Sequence, residues 1–293
     1  EFANEYGYIL FAVDWTGMKS EDSGPISLML VQEIHKFAMI AERSQQGFME
    51  FLAAMEMMRG PMLTEPSLMA EDADGTTISL IDPSQTHYYG NSQGAILGGA
   101  YIALSPHITR ATLGVGGSPY HLLLNRSADF DPFFLIFKTM YPDALDVQFI
   151  LALNQTLWDP GESSGYLNTI NRSPLDGVPA KDVLLQVAIA DAQVTTLGAH
   201  VMARSYNAAL IEPAARDVWG LDPGRLPVRA VRRVRLLDGR HRRALRRRLR
   251  RRRHRRLPAQ MGTRPVVGRL FPVRRPRARC LQPEPRPRSE PAR

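Results

Sequence analysis

The chain has 293 residues, 44% of them apolar, enough to bury the core of one large domain or two small ones. Its single cysteine, Cys280, excludes an internal disulfide framework and a cysteine-rich metal site, and no apolar run reaches the roughly 18 residues of a membrane span. The net charge of +8 joins unlike parts: residues 1–223 carry −15, whereas residues 224–293 carry +23, from 26 Arg against 3 acids.

The first residues show no basic stretch followed by an apolar one, so no signal peptide is visible. They enter almost at once the run YGYILFAVDW, in which Tyr8–Val13 reads as a central strand covered on both faces, as though the chain were joined midway through a domain. Thr16–Asp22 reads as a loop. From Ile26 to Met58 apolar residues recur at helical spacing, predicting two helices with a break near Ser44 and a Met-rich core face. DADGTTISLIDPSQ is a turn-rich connection.

Thr86–Tyr89 then has strand character, GGAYIALSPHI continues a helix as far as Pro106, and ATLGVGGSP predicts a strand that stops at glycines. The aromatic, proline-punctuated stretch from Tyr120 to Gly177 predicts helices inserted between two sheet strands. AKDVLLQVAIAD supplies the next strand, VTTLGAHVMARSYNAAL a helix, and ARDVWGL a last short strand. This alternation predicts an α/β fold with a mostly parallel sheet flanked by helices, a helical insertion at about 120–178, and a domain ending near residue 222.

Within the strand-to-helix junction, Gly90-Asn91-Ser92-Gln93-Gly94 fits G-x-S-x-G. A strand that turns abruptly into a helix holds such a serine in a strained conformation, and side chains two residues to either side are expected to collide with neighbouring backbone. Ala95, Gly98, Gly99 and Ala100 leave one side of the helix thin enough to approach the sheet. Ser92 reads as a nucleophile or as a serine that only caps the helix. A nucleophilic serine needs a base and an acid that orients the base. The acid is expected after the next-but-one strand, where Asp191 stands; Asp191 reads equally as a cap of the following helix.

YYGNSQGAILGGA, with YILFAVDWTGM before it and VAIADAQV after it, resembles the α/β-hydrolase superfamily, in particular bacterial serine esterases and lipases with a helical insertion over the active site. The resemblance covers about residues 4–222. It implies Ser92 as nucleophile, Asp191 as acid, the backbone N–H of Gln93 as an oxyanion donor, and Gly90 and Gly94 as elbow glycines. It also implies a carboxylic ester substrate with an apolar part, and neither cofactor nor metal; the aromatic insertion from Tyr120 to Trp158 reads as an apolar acyl or alcohol pocket or a lid, or equally as ordinary core. The sequence departs from the family in two places: the His-Gly type loop that supplies a second oxyanion donor would precede residue 1, and the family's histidine would fall in the arginine-rich stretch. The activity of a chain so truncated is itself in question.

No histidine fits cleanly as the base. His200 is a weak candidate, nine residues after Asp191 in a predicted helix; His241 and His254 have the right chain order but sit among arginines; His87, five residues before the elbow, is expected to point away from its catalytic face, and His35, His107 and His121, which precede the acid, read as structural. No metal-ligand spacing such as H-E-x-x-H occurs. Residues 223–293 contain too much like charge to bury a core and are expected to be disordered or irregular. Their lack of Lys, Ile and Asn is the bias of GC-rich coding DNA read out of register. The rival reading, of another class, is a non-catalytic scaffold whose arginine-rich tail binds nucleic acid or another polyanion without sequence specificity.

Overall fold

The structure, a computed structural model, describes residues 2–224, all within one compact unit. The expected tail, with His241, His254 and the disorder anticipated there, lies outside the described residues. The described part is mixed α/β, with many helices around a few short strands. No helix among the described residues is long and apolar enough to cross a membrane.

After a short helix α1 (Phe2–Tyr6), the apolar run Tyr8–Val13 forms neither helix nor strand. This corrects the expected central strand. A strand exists only where a neighbouring backbone completes its ladder, and a local apolar run cannot supply that partner. Phe11, Val13 and Trp15 pack against the core instead, while Leu10 stays 67% exposed. Helices α2 (Ser23–Gln32) and α3 (Ala38–Arg59) follow, separated at Glu33–Phe37 rather than at Ser44. Ser44 is buried inside α3, and its hydroxyl donates to the Ile40 carbonyl at 3.1 Å, so the residue needs no break to satisfy it. The buried positions Ile40, Ser44, Phe48, Phe51 and Met55 mark the core face of α3, but Met39, Met49 and Met57 are exposed, so only part of the Met-rich segment fills the core.

The stretch expected only as a connection contains the turn and second strand of a hairpin, β2 (Thr77–Ser79) antiparallel to β1 (Met69–Glu71) just before it, with Gly75 at φ +85° in the turn. The parallel sheet comes next: β3 (His87–Asn91), β4 (Arg110–Gly114) and β5 (Asp182–Gln186), in the order β3-β4-β5, with Tyr88 opposite Ala111 and Ala111 opposite Val183. Short helices α4 (Gln93–Ile96) and α5 (Gly98–Leu104) connect β3 to β4. The expected insertion joins β4 to β5 through α6 (Tyr120–Leu124), α7 (Asp131–Met140) and α8 (Ala144–Trp158). Helix α9 (Thr196–Ser205) follows β5.

One face of the sheet, through Tyr88, Gly90, Ala111 and Leu113, is buried; on the other, His87, Tyr89, Asn91, Asp182, Leu184 and Gln186 are exposed. The sheet is therefore covered less evenly than the expected two-sided flanking by helices. On the buried face Phe51 stacks on Tyr101 at 4.3 Å between ring centroids, and Trp15 and Tyr88 meet the same pair. Each such contact adds about 1 kcal/mol to the hydrophobic gain of burial. The segment ARDVWGL is not a strand either: Trp219 is 85% exposed and Gly220 turns at φ +77°. The last pairing is a two-residue parallel contact of β6 (Leu210–Ile211) with β7 (Pro223–Gly224).

Candidate active site

Ser92 sits between the end of β3 and the start of α4 with φ 54° and ψ −121°, backbone angles that cost a non-glycine residue about 1–3 kcal/mol. Hydrogen bonds hold it there. Its N–H donates to the Gly114 carbonyl at 2.8 Å, tying the bend to the end of β4, and its carbonyl accepts from Ala95 and Ile96 to open the helix. Val115, just after β4, and Ala190, a few residues beyond β5, also have positive φ, at 48° and 61°. For a β-branched residue this is a true outlier. These three of the four described non-glycine residues with positive φ follow the carboxyl ends of strands in the parallel sheet, the edge at which open α/β sheets bind ligands; the fourth, Asn207, follows α9.

The glycines divide the work unevenly. A Cβ on Gly90 would stand 2.1 Å from the Gly94 carbonyl oxygen, so this position admits no side chain. At Gly94 the nearest atom to an added Cβ is the Tyr88 hydroxyl, 3.8 Å away, which corrects the expected collision on that side. The crowding falls on Gly98, where a Cβ would meet the Tyr88 ring at 2.6 Å, and on Gly99, which faces Ser163 and Tyr206. Tyr88 is central to this bend: its ring fills the space above Gly98 and its hydroxyl donates to the Gly94 carbonyl at 2.6 Å. Burial pushes its pKa up.

Ser92 and Gln93 open onto an apolar cavity of about 210 Å³. Its walls come from α2 and α3 (Leu30, Ile40), α6 (Tyr120, Leu123), the segment Phe130–Phe137, and α8 (Leu151, Asn154, Trp158). The aromatic insertion therefore supplies a pocket wall, although Phe149, from the same stretch, is 64% exposed. Tyr120 stacks on Trp158 at 4.2 Å, and its hydroxyl accepts a hydrogen bond from the Gln93 side-chain amide at 2.5 Å. That contact ties the Gln93 side chain to the Tyr120 hydroxyl, and the Gln93 backbone N–H takes no part in it. Standing in the first turn of α4, this N–H has no carbonyl partner within the helix.

Beneath this wall lies a carboxylate that the sequence reading did not single out. Glu162 is fully buried and accepts from the Ser118 hydroxyl (3.0 Å), the Tyr120 N–H (3.0 Å), the Gln155 amide (2.8 Å) and the Ser164 N–H (3.1 Å). Burial raises its pKa, opposed by these hydrogen bonds. The network locks the start of α6, and with it Tyr120, to the end of α8. A second buried charge, Lys181, donates to the Ser105 and Ile108 carbonyls at 2.6 and 2.5 Å; burial lowers its pKa to about 8. An isolated Glu in WDPGESSGY carries no local pattern that distinguishes it from a surface carboxylate.

Asp191 lies past the end of β5. Its Oδ1 accepts from the Gln193 N–H at 2.8 Å and the Val194 N–H at 3.0 Å, closing a turn ahead of α9, while Thr195 caps that helix. Asp191 is thus not the helix cap. Of the five described histidines, His107 pairs with Glu56, His121 contacts Gln155, and His87 meets Tyr8 edge to face at 6.2 Å. His200 lines a broad cleft along the exposed face of the sheet rather than the cavity beside Ser92; burial lowers its pKa, with Arg216 and Arg204 adding to the effect. Among the described residues no hydrogen bond joins Ser92 or Asp191 to a histidine, and no cluster of potential metal ligands occurs. Comparison with protein families, curated proteins and solved structures finds no match to this chain.

Proposed function

We propose that the chain is a serine hydrolase of the α/β-hydrolase type, acting on carboxylic esters with an apolar acyl group. One observation carries the reading: a serine with φ 54° and ψ −121° at a strand-to-helix bend, opening onto an apolar cavity. The Ser92 hydroxyl gives its proton to the base as its oxygen attacks the ester carbonyl, with the Gln93 N–H receiving the oxyanion and the acyl chain in the cavity. The C–O bond to the alcohol breaks as the alcohol takes that proton, and a water activated by the base then releases the acid and restores Ser92. Asp191 holds the imidazole of the base: with Oδ1 committed to its own turn, Oδ2 has no partner among the described residues. The base itself is a histidine not seen beside Ser92; His241 and His254 follow Asp191 and lie outside the described residues.

A 150 Å³ apolar cavity holds a benzene, so about 210 Å³ accommodates on the order of eight carbons. Short to medium acyl chains fit this volume. The test is covalent labelling with an alkyl fluorophosphonate followed by mass spectrometry. The expected adduct is on Ser92 and is absent from Ser92→Ala; an unlabelled protein, or a label that survives the substitution, overturns the hydrolase reading and leaves the non-catalytic scaffold.

A further inference from the structure

Three consecutive residues of the bend are each held by a different element. The Ser92 N–H donates to the Gly114 carbonyl at the end of β4 (2.8 Å), the Gly94 carbonyl accepts from the Tyr88 hydroxyl on β3 (2.6 Å), and between them the Gln93 side-chain amide donates to the Tyr120 hydroxyl on α6 (2.5 Å). The first two ties come from the sheet that carries the bend. The third crosses 27 positions to the helical insertion, and it holds the residue whose backbone N–H faces the oxyanion in the proposed reaction. Tyr120 is firmly seated in its turn. Only 5% exposed, it stacks its ring on Trp158 with 15° between the planes, and its N–H donates to the buried Glu162 carboxylate at 3.0 Å. Glu162 is fixed by Ser118, Gln155 and Ser164.

A strained backbone persists only where its surroundings over-determine it, and a donor stabilises developing charge best when it does not have to turn toward it. Helix α4 spans four residues, a single turn, too short to fix its own first N–H unaided. We infer that Tyr120 is a positioning residue: through the Gln93 side chain it holds the Gln93 backbone N–H in line for the oxyanion, so that the wall of the cavity and the oxyanion donor move as one piece. The inference rests on the hydrolase reading and gives the insertion a part in the reaction besides lining the pocket. The two ends of Tyr120 then act on different steps. Its ring, in the cavity wall, bears on binding; its hydroxyl, on the Gln93 amide, bears on rate.

The test follows the rate of labelling by an alkyl fluorophosphonate, resolved into the affinity KI and the bond-forming rate kinact. In this reaction the Ser92 oxygen bonds to phosphorus, its proton passes to the base, fluoride leaves, and the phosphoryl oxygen takes the place of the ester oxyanion. Tyr120→Phe removes the hydroxyl and keeps the ring; Gln93→Leu removes the amide from the other end of the tie, so that a variant lost to misfolding leaves the other to decide. Each is expected to lower kinact about tenfold, less than the roughly 100-fold or more that follows outright loss of an oxyanion donor, with KI kept within about twofold. The double variant should be no slower than either single one, because one tie can be cut only once; independent effects would multiply to about 100-fold. An undiminished kinact in either variant, a change confined to KI, or a multiplied effect in the double variant overturns the inference. Failure of the hydrolase reading registers differently, as absence of the adduct in the unsubstituted protein, and takes the inference with it.

Discussion

Replacing Ser92 by glycine tests the bend directly. At φ 54° and ψ −121° the serine stores about 1–3 kcal/mol of backbone strain that glycine does not feel. Against this, glycine makes the unfolded chain more flexible, at a cost of about 0.5–1 kcal/mol. The right reference is Ser92→Ala, which removes the same hydroxyl but keeps the Cβ and its strain. The glycine variant is expected to exceed the alanine variant in stability by about 1 kcal/mol, a shift of about 0.5 M in the urea midpoint at an m-value near 2 kcal/mol/M. Equilibrium urea unfolding, followed by circular dichroism, measures it. Both variants should also lose the fluorophosphonate adduct, so the stability difference between them is independent of the hydroxyl. A glycine variant that unfolds at the same or lower urea than the alanine variant would refute the strained bend, since only a residue already in an ordinary conformation gains nothing from losing its Cβ.

The two elbow glycines should respond differently: Gly90→Ala drives a methyl to within 2.1 Å of the Gly94 carbonyl and should cost about 3 kcal/mol or more, whereas Gly94→Ala, with 3.8 Å of clearance, should cost about 1 kcal/mol or less in the same assay. Glu162→Ala strands the Tyr120 N–H and the Ser118 hydroxyl in the interior, at about 1–3 kcal/mol each, so thermal and urea unfolding should show a loss of about 4 kcal/mol; an unchanged midpoint would dissolve the network as a structural lock. Lys181 has its pKa lowered to about 8 from an ordinary 10.5, so between those values the unfolded chain binds a proton that the folded chain does not. Stability should therefore rise with pH across that window, by about 3 kcal/mol in all, and this rise should be missing in Lys181→Met when unfolding is followed at a series of pH values.

Reading residues in order was enough for the parts of this protein that are local. The G-x-S-x-G signal, the strand before it, the small residues after it and the placement of an insertion between β4 and β5 all follow from neighbours in the chain, because steric demands at a tight bend act over a handful of residues. Strand pairing is not local. Tyr8–Val13 has the composition of a buried strand and forms none, and ARDVWGL likewise, because a ladder depends on a distant backbone that composition does not reveal. Nor could local reasoning have told that the crowded glycine on the helix side is Gly98 rather than Gly94, since the obstacle is the Tyr88 ring folded back from the preceding strand.

The cavity is likewise a tertiary product: Ser92, Tyr120, Asn154 and Trp158 are separated by up to 66 positions and meet only because α6 and α8 pack over the bend. One hint was present in the sequence, an asparagine on the apolar stripe of α8, yet periodicity alone could not say whether its amide would find a partner. Composition and short-range spacing thus determined where the strand-to-helix bend at Ser92 falls. Which side chains surround it, and which buried polar groups find partners, was decided only by packing, because desolvation and hydrogen-bond pairing depend on what lies across space rather than along the chain.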